Sequence, residues 1–185
     1  MQTTQYREAL RKAFQSQYKR IEENFMDLTP EQLQYRPDEK TWSLGQVFLH
    51  IWLANDKYLV KMSDVVLHTE KKEKENQEYK PGFFGSRFIQ MVGPTGGKNT
   101  PVPKILEPDY KKVPDDIVQR VLDQLTAIEE FLDASEGKDI VKTRITSPVA
   151  KALKLRLGDV FKLLEQHNER HINQAMRFKR VATAS

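Results

Sequence analysis

His167 and His171 stand four residues apart in LLEQHNERHINQ (163–174), a stretch that otherwise reads as a helix with one apolar face. At about 100° per residue, side chains at i and i+4 leave a helix in nearly the same direction from adjacent turns. Two imidazoles placed this way can chelate one metal ion. Hydrogen-bonded core or rim histidines produce the same spacing, so a third ligand has to come from elsewhere. Glu165 and Glu169 project away from the pair, and the chain contains no cysteine. His50 is the candidate. It sits in VFLHIWLA (47–54), where apolar residues cover most of a helix circumference, within a narrow polar stripe of Ser43, Gln46, His50, Lys57 and Lys61. A polar stripe on a buried helix faces a cavity or a polar partner, because unpaired polar groups are costly inside. Three histidines without a thiolate suit zinc, nickel, iron(II) or manganese, and leave a coordination position open for water or substrate. His68 stands in a charged stretch and reads as surface. Gln46 and Gln174 lie a turn or less from the histidines, where they either orient ligands or simply pack.

Four segments with helical periodicity are available to position these residues. The first carries Tyr6, Leu10, Phe14, Ile21, Phe25 and Leu28. The second starts at Ser43 as N-cap and runs to about 63. The third begins near 115–116, after Pro114, and ends before Gly137. The fourth runs from about 155 to 180. Between the second and third lies residues 76–114, which hold six of the nine prolines and five of the eight glycines. So long a connection inside a compact domain is uncommon and often functional. No strand pattern and no internal repeat is evident. The expectation is an all-α four-helix bundle over 1–185 as a single domain, with the 76–114 connection inside it and bordering the metal pocket. GPTGGKNTP (93–101) does not make a phosphate loop: its glycines are one residue too close, and Asn99 stands where Ser or Thr is needed. Trp42 reads as a packed anchor at the start of the second helix.

The composition narrows the function classes. No apolar run reaches membrane-spanning length, and the first fourteen residues have no apolar signal core. The absence of cysteine removes disulfides and thiol nucleophiles and is compatible with the cytoplasm, where the protein is expected. Net charge is +4, yet EKKEKE (70–75) alternates in sign, and MRFKR (176–180) closes a helix whose dipole favours cations there. Nucleic acid is therefore not the expected partner. A small molecule is, and a homodimer stays open.

LTPEQLQYRPDEKTWSLGQVFLHIWLAND (28–56), followed by LGDVFKLLEQHNERHINQ (157–174), whose His167 stands 117 residues after His50, resembles the DinB-like (DinB/YfiT) superfamily of metalloenzymes. The shared features are the proline-punctuated first loop, the Trp-Ser helix start, the histidine of the second helix, and His-x-x-x-His-x-x-Gln on the fourth. The resemblance implies an up-down-down-up bundle in which His50, His167 and His171 bind one divalent cation, zinc or nickel first. It also implies a metal-dependent enzyme acting on a small molecule, as a transferase that uses a low-molecular-weight thiol or as a hydrolase. No catalytic acid or base is assigned by it. A non-catalytic binding module stabilised by its metal is the alternative.

Overall fold

The computed structural model describes residues 1–36, 38, 40–96 and 101–182, with the backbone alone for 180–182. Tyr6, Leu10, Phe14, Ile21 and Phe25 recur at helical spacing and form the buried face of α1 (Thr3–Phe25). Thr29 caps α2 (Pro30–Gln34) in a capping box with Gln32. Ser43 does the same for α3 (Leu44–His68): its Oγ accepts from Gln46 N at 3.1 Å while Gln46 Oε1 accepts from Ser43 N at 2.9 Å. Every residue from Leu44 to Ile51 is buried, as the all-round apolar pattern requires. α4 (Phe83–Val92) follows, then two short 3₁₀ turns at Lys104–Leu106 and Tyr110–Lys112, and α5 (Ile117–Ala134). Gly137 then takes a left-handed φ of 70°. A hairpin of β1 (Arg144–Thr146) and β2 (Lys154–Arg156) leads into α6 (Leu157–Ala182).

α3 and α1 each pack against both α5 and α6, so the four long helices surround a core that includes Phe14, Phe25, Phe48 and Phe161, all fully buried. α4 packs on α6, and α2 packs on α3.

The expected up-down-down-up four-helix bundle needs correction. The fold is all-α, but it has six α-helices among the described residues. α2 is five residues long and buries only Leu33, too short to show a helical period. α4 lies within the 76–114 connection, between Pro81-Gly82 and Gly93-Pro94; those helix-breaking residues made its ten residues look like loop. Two strands also exist where no strand pattern was evident. They are three residues each, paired antiparallel with Ile145 opposite Leu155. The last helix therefore starts at Leu157 rather than about 155, and Leu155 is a strand residue, buried like Ile145. Of the turn-rich 93–101 segment, residues 97–100 lie outside the described residues.

The connection is tied to the first turn of α6. Asp159, buried there, accepts from Tyr79 Oη at 2.5 Å and from Gly82 N at 3.1 Å. Tyr79 stacks on Tyr6 with centroids 3.7 Å apart, and Tyr6 Oη donates to Gly158 O at 3.0 Å. A Cβ at Gly85 would collide with the Asp159 carboxylate, so α4 approaches this closely only because the residue is glycine. Asp159→Ala leaves a buried hydroxyl and an amide without their acceptor. We expect it to cost roughly 1–3 kcal/mol in denaturant unfolding. Limited proteolysis should then cut within 79–96 before it cuts the long helices.

Candidate metal centre

α3 and α6 pack side by side. That contact brings the second turn of α3 against the middle of α6, so His50 meets His167 and His171. The ring centroids lie 5.0 Å (50–167), 4.6 Å (50–171) and 4.6 Å (167–171) apart. One potential ligand atom from each of the three lies within 4.8 Å of the others. The histidines are 3%, 8% and 7% exposed. His68 is exposed and stays outside the cluster, its Nδ1 2.8 Å from the Asp64 carbonyl oxygen.

The hydrogen bonds fix which ring nitrogens face inward. His50 Nδ1 lies 2.8 Å from the Leu106 carbonyl oxygen, which can only accept, so the proton sits on Nδ1 and the Nε2 lone pair is bare. His171 Nδ1 donates in the same way to Gln174 Oε1 at 2.9 Å. Backbone and side-chain acceptors behind metal-ligating imidazoles commonly play this orienting part.

His167 is different. Its Nε2 faces His50 Nε2 at 3.1 Å, and its buried Nδ1 has no hydrogen-bond partner. If the proton is on Nε2 it bridges to His50 but leaves Nδ1 an unsatisfied acceptor. If it is on Nδ1, two lone pairs oppose each other across 3.1 Å and the N–H has no acceptor. No neutral tautomer satisfies the whole cluster, and a cation between the rings removes the opposition. Bonds of about 2.0–2.1 Å in tetrahedral geometry put two ligand nitrogens roughly 3.3 Å apart, close to what the pair already shows. The donor set fits a divalent metal.

Burial is the main reason all three imidazoles hold their protons weakly. His171 is pushed down to about 3, with His50 and the positive charge of Arg170 adding to burial. His167 lies well below the ordinary imidazole value for the same causes, together with His171 itself. His50 is lowered too, although its bond to Leu106 opposes the shift. At neutral pH the three are uncharged, the form a metal needs.

Beside the cluster opens a pocket of about 210 Å³. The 76–114 connection supplies part of its wall, through Phe88, Met91 and Val92 of α4 and through Val102 and Leu106. Several participants had no sequence signal. The Leu106 carbonyl is one, since every residue carries a carbonyl. Trp42 does more than anchor the helix: its ring lies 4.9 Å from that of His50 and 6.4 Å from that of His171. Arg170, three residues after His167 and next to His171, lines the pocket. Gln46, by contrast, is committed to its cap and to Pro108 O at 2.9 Å, and so packs rather than orients a histidine. Lys57 pairs with Asp56 at 3.0 Å and does not line the pocket.

A profile of the DinB superfamily matches residues 13–175. The chain belongs to the DinB superfamily. The match runs from α1 into α6 and contains all three clustered histidines, so this DinB-superfamily chain carries its metal-type cluster inside the shared region. No curated protein and no solved structure matches the chain. No described helix is long and apolar enough to cross a membrane.

Proposed function

We propose that His50, His167 and His171 bind one divalent cation, zinc or nickel before iron or manganese, and that the chain is a metal-dependent enzyme acting on a small molecule. The observation that carries this reading is three converging, uncharged imidazoles at the side of a pocket large enough for a small ligand. A bound divalent cation supplies Lewis acidity, which makes a thiol or a water a stronger nucleophile. The protein's own contribution is orientation: Leu106 O and Gln174 Oε1 hold two of the rings, and Trp42 packs against them. Among the described residues no carboxylate lines the pocket, so no side chain is assigned as general base.

Thiol transfer, with a low-molecular-weight thiol as co-substrate, is the first chemistry to examine. The sulfur displaces a leaving group such as halide from an electrophilic carbon, and the thiol proton goes to solvent. Hydrolysis is the second. Both fit a cytoplasmic protein in which residues 1–185 form one domain. The test loads purified protein with zinc or nickel and follows thiol consumption with a haloalkane, and ester hydrolysis in parallel. Turnover above the metal-free protein supports the enzyme. Stoichiometric metal with neither turnover nor ligand access to it would make the protein a metal-stabilised module instead.

The depressed proton affinity predicts the pH course of metal binding. Protons compete only where the folded imidazoles can be protonated. Affinity measured by competition with a chelator should therefore stay flat through about pH 6.5, where an ordinary imidazole titrates, and fall only at lower pH. A loss of affinity centred near pH 6.5 would show that the rings are solvated as in water.

A further inference from the structure

The side chains around the pocket are selective about what can occupy it. Phe88, Met91, Val102, Leu106, Leu163 and Leu164 form much of the wall, with further aliphatic residues and prolines between them. The polar side chains among the described lining residues are the three histidines, Tyr58 and Arg170. Tyr58 Oη is engaged with Ser147 Oγ at 3.1 Å, and Arg170 reaches the Met91 carbonyl at 3.3 Å. Among the described residues no serine, threonine, asparagine, glutamine or carboxylate side chain faces the space. A ligand bearing several hydroxyls would find too few partners here among the described residues, and each one buried unpaired costs binding free energy.

Resting on the metal-dependent reading above, we propose that the substrate is an apolar molecule about one ring in size. Its hydrocarbon body fills the space between α4 and the Leu163–Leu164 face of α6, and its single polar, reactive head points at the histidines. The volume sets the size. An apolar cavity of about 150 Å³ accepts benzene, so 210 Å³ accepts one ring with a short substituent, not a nucleotide or an oligosaccharide.

Two measurements separate this proposal from the metal reading on which it rests. On metal-free protein, toluene should raise the thermal midpoint and shift the methyl resonance of Met91, while inositol at the same concentration should do neither. On zinc-loaded protein, thiophenol and 1-thioglucose offer the same sulfur on different bodies. Calorimetry corrected for thiolate fraction should give thiophenol at least a tenfold tighter dissociation constant. Met91 is 42% exposed and distant in role from the cluster, so Met91→Glu should fold. It should erase the tenfold preference while zinc content stays the same. Absence of a toluene effect overturns the proposal whether or not zinc binds. So does equal or reversed thiol order with zinc bound, or a preference that survives Met91→Glu. Failure of zinc uptake alone sinks the metal reading, and the toluene result still decides the pocket.

Discussion

Zinc-loaded wild-type protein should carry about one ion per chain, and His50→Ala, His167→Ala and His171→Ala should each purify with almost none. Losing even an outer-shell partner commonly lowers metal affinity roughly 10–100-fold, and loss of one of three ligands should exceed that. Double substitutions should add little, because two imidazoles already hold the ion weakly. Independent packing residues would behave otherwise, with additive stability losses and no metal phenotype. A second variant makes the dependence on zinc diagnostic. His167 has a buried Nδ1 without a partner and an Nε2 3.1 Å from that of His50. In metal-free protein His167→Leu exchanges one unsatisfied buried atom, His167 Nδ1, for another, His50 Nε2, at similar volume, and should change stability by no more than about 1 kcal/mol. In the presence of zinc the same variant should melt below wild type. Thermal midpoints with and without zinc, beside metal content by mass spectrometry, read both effects. Full zinc content in His50→Ala would withdraw the three-ligand site.

Arg7→Met should destabilise the protein by about 3–5 kcal/mol although no apolar contact is lost. Arg7 is 4% exposed although it lies on the first helix of a highly charged chain. Its Nη1 pairs with Glu73 Oε2 at 2.9 Å, Nη2 donates to Ser135 O and Lys138 O at 2.9 Å each, and Nε donates to Ser135 Oγ at 3.2 Å. One guanidinium thus joins α1 to the segment that follows α3 and to the turn after α5. Methionine fills the volume but leaves Lys138 O without this donor, the Glu73 carboxylate with Thr3 Oγ1 but no cation, and Ser135 O with the Lys138 amide alone. Arg11, a turn later, is the control. Its ion pairs with Glu8, Asp133 and Glu136 are exposed, so Arg11→Met should cost no more than about 1 kcal/mol. Denaturant midpoints for the two variants check the contrast; equal losses would show that the buried network contributes nothing special.

The sequence by itself determined the long helices and the His167–His171 pair, because both depend on periodicity within one segment. Apolar residues at three- and four-residue steps marked the buried faces of α1, α3, α5 and α6, and i, i+4 spacing aimed two imidazoles the same way. The all-round apolar start of α3 also said that His50 had to meet something polar. Other features were decided only when the chain folded. α2 and α4 are too short, or too closely bounded by proline and glycine, to carry a period of their own, and they form against the surfaces of α3 and α6. The hairpin needs Ile145 to find Leu155 before either three-residue segment is a strand. The tautomer of His50 is set by a carbonyl 56 residues away, a group that every residue possesses and no residue type announces. Arg7 reads as surface until Ser135 and Lys138, more than 120 residues on, supply its acceptors. Periodicity reports which face of a helix is dry, whereas partners for buried polar groups come from distant segments, and only tertiary packing can bring them.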